Sequence, residues 1–246
     1  MSIARPAEKP LWLQGRDAVV ENDQGVQWRH GRPDYHLTNI TVHKERTRHF
    51  SENSLEMVVE NLVRVFEMEV THKADPAQWV SVVREKFRTN VNGGTWATPQ
   101  DIVERGSYNL FLGDTPYYKG SEESFESSHD VFHTAFPEGF FWEVLEVYSP
   151  PPAVSFKWRH WGNFTGPYKG QQPTGKRVEI FGMTVARVAE DLRILEVEHF
   201  YDNSQFLRQI ATGCPVHAAV FAIPSAASAN AVSARSARSY SVIAST

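Results

Sequence analysis

Cysteine is almost absent from this chain. Among its 246 residues there is one cysteine, Cys214. No disulfide can therefore form within the chain, which is typical of proteins from reducing compartments, and we expect a cytoplasmic location. The first residues lack the apolar core of a secretory leader. No apolar run approaches the roughly 20 residues that a membrane-spanning helix needs, so we expect no membrane span.

A strong charge of one sign is also missing. The net charge of −4 arises from 25 Lys and Arg against 29 Asp and Glu, with both signs spread along the chain. Because nucleic-acid binding needs a basic face or stripe, we expect no nucleic-acid partner.

The sequence also lacks the common cofactor and catalytic motifs. It contains no Gly-x-Gly-x-x-Gly, no P-loop, no His-Glu-x-x-His and no Gly-x-Ser-x-Gly. Cys214, in a plausibly exposed turn, is a poor candidate nucleophile. The simplest enzyme that remains uses acid–base side chains in a shaped apolar cavity, and we expect no cofactor.

What the chain does have is a long stretch with a strand pattern. Its runs are rich in aromatic and β-branched residues and are bounded by Pro, Gly or Asp. They are Phe140–Tyr148, Val154–Phe164, Arg177–Val188 and Leu192–Tyr201. The short joins predict an antiparallel meander, and its glycines permit the bends of a curved sheet.

Helical patterns precede these strands. Apolar residues recur at helical spacing from Leu55 to Val70, and we expect this face to close one side of the sheet. Further helices are predicted after Asp75-Pro76, up to Phe87, and over Pro99–Leu112. Residues 122–135 are read as another helix, or as a helix followed by a strand. The segment 89–98 reads as a polar loop. Residues 28–49 either pack outside the sheet or cover the mouth of a cavity.

Two motifs carry a family resemblance. The run GNFTGPYKGQQPTGKRVEIFGMTVARV, followed by EVEHFYDNSQFLRQI, resembles the SnoaL-like polyketide cyclases of the nuclear transport factor 2-like superfamily. Other stretches, such as WRHGRPDY, FEMEVTHK and FKWRHWG, resemble the plant pathogen-related branch of that superfamily. The resemblance implies an α+β fold, a curved antiparallel sheet wrapped around helices as a cone-shaped barrel. It also implies a homodimer.

The resemblance and the composition together predict three segments. These are an N-terminal extension over 1–49, a SnoaL-like domain over 50–212 and a tail over 213–246. The tail is dominated by Ala and Ser, so we expect it to be mostly disordered.

Asp202 is the leading candidate for acid–base chemistry. The resemblance places a catalytic aspartate at the end of the last strand, and an apolar cavity would raise the pKa of a carboxyl there. The alternative is that Asp202 caps the helix that follows. In SnoaL a histidine on the preceding strand partners that aspartate; the equivalent position here falls near Arg187 and is not a histidine. Strand alternation puts Glu198 and Phe200 on the face of Asp202, which makes Glu198 a second candidate carboxylate and Phe200 a candidate binding residue.

Histidines and aromatic residues supply the other candidates. His129 and His133 fall on one helical face; we expect one of them to act as an acid–base group, His133 foremost, and expect no metal site. Trp158 and His160 share one face of their strand, and Arg159 and Trp161 share the other. One face should line the cavity and the other should pack against a helix or a second subunit.

Tyr108 and His72, near helix ends, are candidates to close the cavity. The leading hypothesis is thus a cofactor-independent cyclase, isomerase or rearrangement catalyst. Its substrate would be an apolar, polycyclic natural-product intermediate of secondary metabolism. An epoxide hydrolase or dehydratase, a non-catalytic binding protein of defence or stress, and an interaction scaffold are the alternatives.

Overall fold

The computed structural model describes residues 9–211. The expected disordered tail and Cys214 lie outside the described residues. Within 9–211, no helix is long and apolar enough to cross a membrane.

The centre of the fold is a five-stranded sheet with the strand order β1-β5-β4-β3-β2. Its strands are β1 (Arg88–Val91), β2 (Phe141–Ser149), β3 (Ala153–Asn163), β4 (Arg177–Val188) and β5 (Ile194–Tyr201). The predicted antiparallel meander of β2 to β5 is confirmed, as is the α+β class. The described sheet is open, since β1 and β2 form its edges, rather than closed into a barrel.

Strand β1 was not predicted. It lies in the stretch expected to be a loop, and it pairs in parallel with β5, with Asn90 opposite Glu198. A four-residue strand with the sequence RTNV carries little local signal, because its stabilising partner lies more than a hundred residues away.

The helices are α1 (Arg16–Glu21), α2 (His36–Glu45), α3 (Leu55–His72), α4 (Pro99–Arg105), α5 (Ser107–Leu112), α6 (Phe125–Ala135) and α7 (Asn203–Ala211). Helix α3 has the predicted amphipathic face, and the Ser54 hydroxyl caps it by accepting a hydrogen bond from the Met57 amide at 3.2 Å. The apolar face packs against the inner face of the sheet, the face turned toward α3, and forms the main core.

Two helix predictions need correction. After Asp75 there is one turn of 3-10 helix, Pro76–Gln78, and no α-helix; Val82 instead forms a bridge with Ile194 of β5. The apolar spacing there reflects burial of an irregular segment against the core, which a short window cannot distinguish from a helix. The predicted helix 99–112 is two helices, broken at Gly106, where φ is +90°.

The N-terminal extension is fixed to both sides of the fold. Helix α1 packs its Val19 and Val20 on α3, and Val42 of α2 packs on the outer face of the sheet, against Phe141 and Trp161. Two buried carboxylates tie it down, as described next.

Glu143 of β2 accepts a hydrogen bond from the Thr47 amide at 2.8 Å and pairs with Arg159 at 2.7 Å. Glu60 of α3 pairs with Arg46 at 2.7 Å. Because removing one partner of a buried pair leaves an uncompensated charge, these contacts hold the extension in one position.

Candidate functional site

A cavity of about 360 Å³ lies between the inner face of the sheet and helices α3, α5 and α6. Its volume is near the lower end of the range for small-molecule sites, about 300–1,000 Å³. Most of its wall is apolar. The polar side chains that line it are Arg16, Tyr35, Thr38, Glu67, Thr71, His72, Ser107, Tyr108, His133, His160, Thr184, His199 and Tyr201.

Five of the predicted site residues line this cavity. They are Tyr108, Trp158, His160, His72 and His133. The strand alternation of β3 resolves the question of its two faces. Trp158 and His160 face the cavity, while Arg159 and Trp161 are buried on the outer face beneath α2.

The prediction assigned the wrong face of β5 to the cavity. His199 and Tyr201 line the cavity, whereas Glu198 and Phe200 are on the outer face, where Phe200 is 41% exposed. The alternation itself is as expected, but β5 ends at Tyr201, so Asp202 no longer continues its pattern.

Asp202 is exposed and does not line the cavity. Its carboxylate accepts a hydrogen bond from the Gln205 amide at 2.9 Å at the start of α7. This is the capping geometry, so the expected position of Asp202 facing the cavity is corrected.

Arg187 is likewise outside the cavity. It is exposed on the outer face of β4, where its Nε lies 3.4 Å from a carboxylate oxygen of Glu196. Neither Arg187 nor Asp202 can therefore reach a molecule in the cavity in this conformation.

Glu67 supplies the carboxylate that the cavity contains. It lies on α3, and one of its oxygens is 3.5 Å from Nε2 of His160 on β3. The His160 ring stacks on Phe140, with ring centroids 5.2 Å apart and the planes 7° from parallel. Phe140 thus holds the imidazole of His160 beside the carboxylate of Glu67, at a separation slightly longer than an ordinary hydrogen bond.

A series of hydrogen-bonded side chains ends at His199. The indole Nε1 of Trp158 donates to the Thr184 hydroxyl at 2.8 Å, and that hydroxyl lies 3.0 Å from Nδ1 of His199. With its oxygen accepting from the indole, Thr184 can donate its own proton to Nδ1. In the neutral ring the N–H then falls on Nε2.

The Nε2 atom of His199 is buried and has no hydrogen-bond partner among residues 9–211. Burial lowers the pKa of His199 to about 4, with the carboxylate of Glu67 acting weakly in the opposite direction. At neutral pH the ring is therefore uncharged and presents a buried, unpaired N–H donor.

Three further histidines form a stack beside the cavity. His129 lies between His30 and His133, with ring centroids 3.9 Å and 3.8 Å apart. His133 lines the cavity and is exposed, whereas His129 lies behind it and does not line the cavity. Burial lowers the pKa of His129 and of His72 to about 4.

Sequence reasoning missed Glu67, His199, Tyr201 and Thr184. A signal for Glu67 was available, because this charged residue follows Val63 by one helical turn and so falls on the apolar face of α3. For His199, strand alternation offered the correct pair with Tyr201, but the assignment of Asp202 selected the opposite face.

One comparison with known proteins identifies the family. The sequence profile of the SnoaL-like polyketide cyclases matches residues 81–210, more than half of the chain. The chain therefore belongs to the SnoaL-like polyketide cyclase family. Glu67 and the N-terminal extension lie outside the matched residues.

The chain is also similar to a barley (Hordeum vulgare) protein named "Pathogen-related protein". The two are 39% identical over 213 residues, which cover 80% of this chain and 91% of the barley protein. This agrees with the predicted resemblance to the plant pathogen-related branch.

Solved structures with a related fold are much more distant in sequence. A SnoaL-like protein of Jannaschia sp. CCS1 is 17% identical, covering 66% of this chain and 99% of its own, with a TM-score of 0.35. IdmH from Streptomyces antibioticus is also 17% identical, covering 60% of this chain and 94% of its own, with a TM-score of 0.37.

Proposed function

We propose that this protein is a cofactor-independent acid–base enzyme whose general base is Glu67. The observation that carries the proposal is the placement of one carboxylate beside a histidine, and of one unpaired N–H donor, in the same apolar cavity. Family membership supports a cyclisation or isomerisation as the class of reaction.

The first step would be removal of a proton from a carbon next to a carbonyl group. The Glu67 carboxylate accepts the proton, and His160 lies close enough to receive it or return it. As the C–H bond breaks, its electron pair moves toward the carbonyl oxygen. The Nε2–H of His199 donates a hydrogen bond to that oxygen, which stabilises the developing enolate.

The enolate has two outcomes, and neither needs an oxidant or reductant. In a cyclisation, its carbon forms a bond to a second carbonyl carbon of the same molecule, and the alkoxide that results takes back the proton. In an isomerisation, the proton returns to a different carbon. The apolar walls would hold an apolar, polycyclic intermediate of secondary metabolism in the reactive conformation.

The proposal is tested by deleting the gene in the source organism and restoring it as wild type or as the Glu67→Gln variant. We expect deletion to divert a metabolite to a shunt product, and Glu67→Gln to reproduce that diversion, because the amide cannot accept the proton. Mass spectrometry of extracts reports the products. Asp202→Asn is the matched control, and it should restore the wild-type profile.

A second candidate is a non-catalytic binding protein of defence or stress. The name of the barley relative and the mostly apolar cavity wall favour it. In that case Glu67→Gln would leave every metabolite unchanged while the protein still bound apolar molecules.

We also infer that the protein forms a homodimer through the outer face of β4 and β5. Helix α2 covers the outer face of the sheet around Phe141 and Trp161. The uncovered part on β4 and β5 carries Phe181, Met183 and Phe200, which are 49%, 41% and 41% exposed. Met183 and Phe200 are paired across the two strands, so the patch is continuous.

A further inference from the structure

The N-terminal extension contributes its own side chains to the cavity. Arg16 of α1, together with Tyr35 and Thr38 near the start of α2, lines the wall. A buried ion pair, Arg46–Glu60, fixes the extension to α3, and hydrogen bonds from Thr47 to the buried Glu143 fix it to the sheet. The extension is therefore a part of this wall rather than a loose arm.

The guanidinium of Arg16 is held by neutral groups. Its Cζ lies 3.8 Å from the centroid of the Tyr35 ring, and its Nη2 donates to the amide oxygen of Asn39 at 2.9 Å. The same Asn39 donates to the carboxylate of Asp17 at 2.7 Å, so the nearest acidic residue in sequence is engaged with the amide. Arg16 forms no ion pair with a carboxylate among residues 9–211.

Arg16 therefore has unused donors and a positive charge turned toward an apolar cavity. A guanidinium carries five N–H groups in a planar fork that matches a carboxylate. His72 does not compete for an anion at neutral pH, because burial lowers its pKa to about 4 and keeps its ring uncharged.

We propose that Arg16, stacked on Tyr35, recognises a carboxylate of the ligand, whose apolar rings fill the rest of the cavity. The substrate class is then an aromatic or polycyclic carboxylic acid rather than a neutral polycycle. This inference rests on the cavity of the proposed function, but binding is measurable without turnover.

The test uses two fluorescent probes that differ by one anionic group. 1-Anilinonaphthalene-8-sulfonate is an anion, and N-phenyl-1-naphthylamine is its neutral counterpart. We expect Arg16→Gln in the full chain to raise the Kd of the anionic probe about tenfold, the loss of one charge-assisted hydrogen bond, and to change that of the neutral probe less than about twofold. Arg84→Gln is the matched control, since Arg84 pairs with Glu85 at a half-exposed site away from the cavity.

Two additional variants test where the probes bind and whether the positive charge alone accounts for the effect. Phe181→Asp, on the outer face of the sheet, should leave both affinities unchanged if the probes occupy the cavity. Arg16→Lys keeps the charge without the planar fork, so it should weaken the anionic probe less than Arg16→Gln does. Far-ultraviolet circular dichroism and Tm establish that each variant is folded.

The proposal is overturned if Arg16→Gln weakens both probes equally, if it weakens neither, or if Phe181→Asp abolishes the binding. Glu67→Gln separates this inference from catalysis. Loss of anion selectivity with Arg16→Gln but no effect of Glu67→Gln on metabolites would uphold the binding site and reject the enzyme.

Discussion

The burial of the His199 ring determines the protonation state, and so the chemical role, of this side chain. Its ring lines an apolar cavity, so its pKa is about 4 and it is a neutral donor at physiological pH. A charged imidazolium in its place would be attracted by the carboxylate of Glu67. In the proposed mechanism, the depressed pKa therefore leaves His199 as the oxyanion donor and Glu67 as the proton acceptor.

The same burial links stability to pH. The unfolded chain binds a proton at this residue below its ordinary value of 6.5, and the folded protein binds it only below about 4. The stabilising contribution is therefore complete above pH 6.5 and is lost as the pH falls toward 4. For one such histidine, the free energy of unfolding should decrease by roughly 2 kcal/mol between pH 7 and pH 5.

Urea unfolding at the two pH values measures this effect. We expect His199→Gln to reduce the decrease by about that amount, because glutamine does not titrate. An unchanged pH dependence in His199→Gln would show that the ring is not held neutral by burial.

At the scale of elements, strands β3 and β4 position the hydrogen-bonded side chains of Trp158 and Thr184, which orient His199. Gly182 of β4 lies opposite Trp158 of β3, and the indole occupies the space above it. A Cβ at residue 182 would lie 2.2 Å from an atom of that indole, which is closer than atoms can approach. The glycine therefore allows Trp158 to reach Thr184 and orient His199.

Gly182→Ala should displace the indole and break its hydrogen bond to Thr184. We expect a loss of about 1–3 kcal/mol in the free energy of unfolding, typical of overpacking, together with a shift of tryptophan fluorescence. Thr184→Val, which leaves the indole N–H unpaired without a steric clash, should lower activity with a smaller spectral shift. Wild-type stability and fluorescence in Gly182→Ala would contradict the proposed role of this glycine.

The elements also show which parts of the fold could be predicted from the sequence. The bounds of β4 are those predicted, and the other three meander strands agree to within two residues, because aromatic and β-branched runs between turns are a strong local signal. Strand β1 and the break at Gly106 were missed, since the first depends on a distant partner and the second on a single backbone angle.

For the site, local patterns identified cavity-facing residues on β3, α3, α5 and α6. They failed at the end of β5, where the last strand residue is followed directly by a helix cap. Tyr201 still faces inward, and the next residue, Asp202, serves α7. No periodicity locates such a boundary reliably.

On the scale of the whole molecule, the division of the outer face is the main feature. Helix α2 covers the part around Phe141 and Trp161, and the part on β4 and β5 exposes Phe181, Met183 and Phe200. Light scattering or sedimentation should give a dimer for the wild type and a monomer for Phe181→Asp, because a buried, unpaired carboxylate opposes association. A monomeric wild type would reject this interface.

The most direct test of Glu67 as the general base measures the exchange of one substrate proton for deuterium. The metabolite that the deletion strain diverts to the shunt product is incubated with purified protein in deuterium oxide, and mass spectrometry measures deuterium at the carbon next to the carbonyl. We predict incorporation with the wild type and with Asp202→Asn, and a rate lowered about 10²–10⁴-fold with Glu67→Gln. Incorporation at the wild-type rate in Glu67→Gln, with the fold intact, would contradict the assignment of Glu67 as the base.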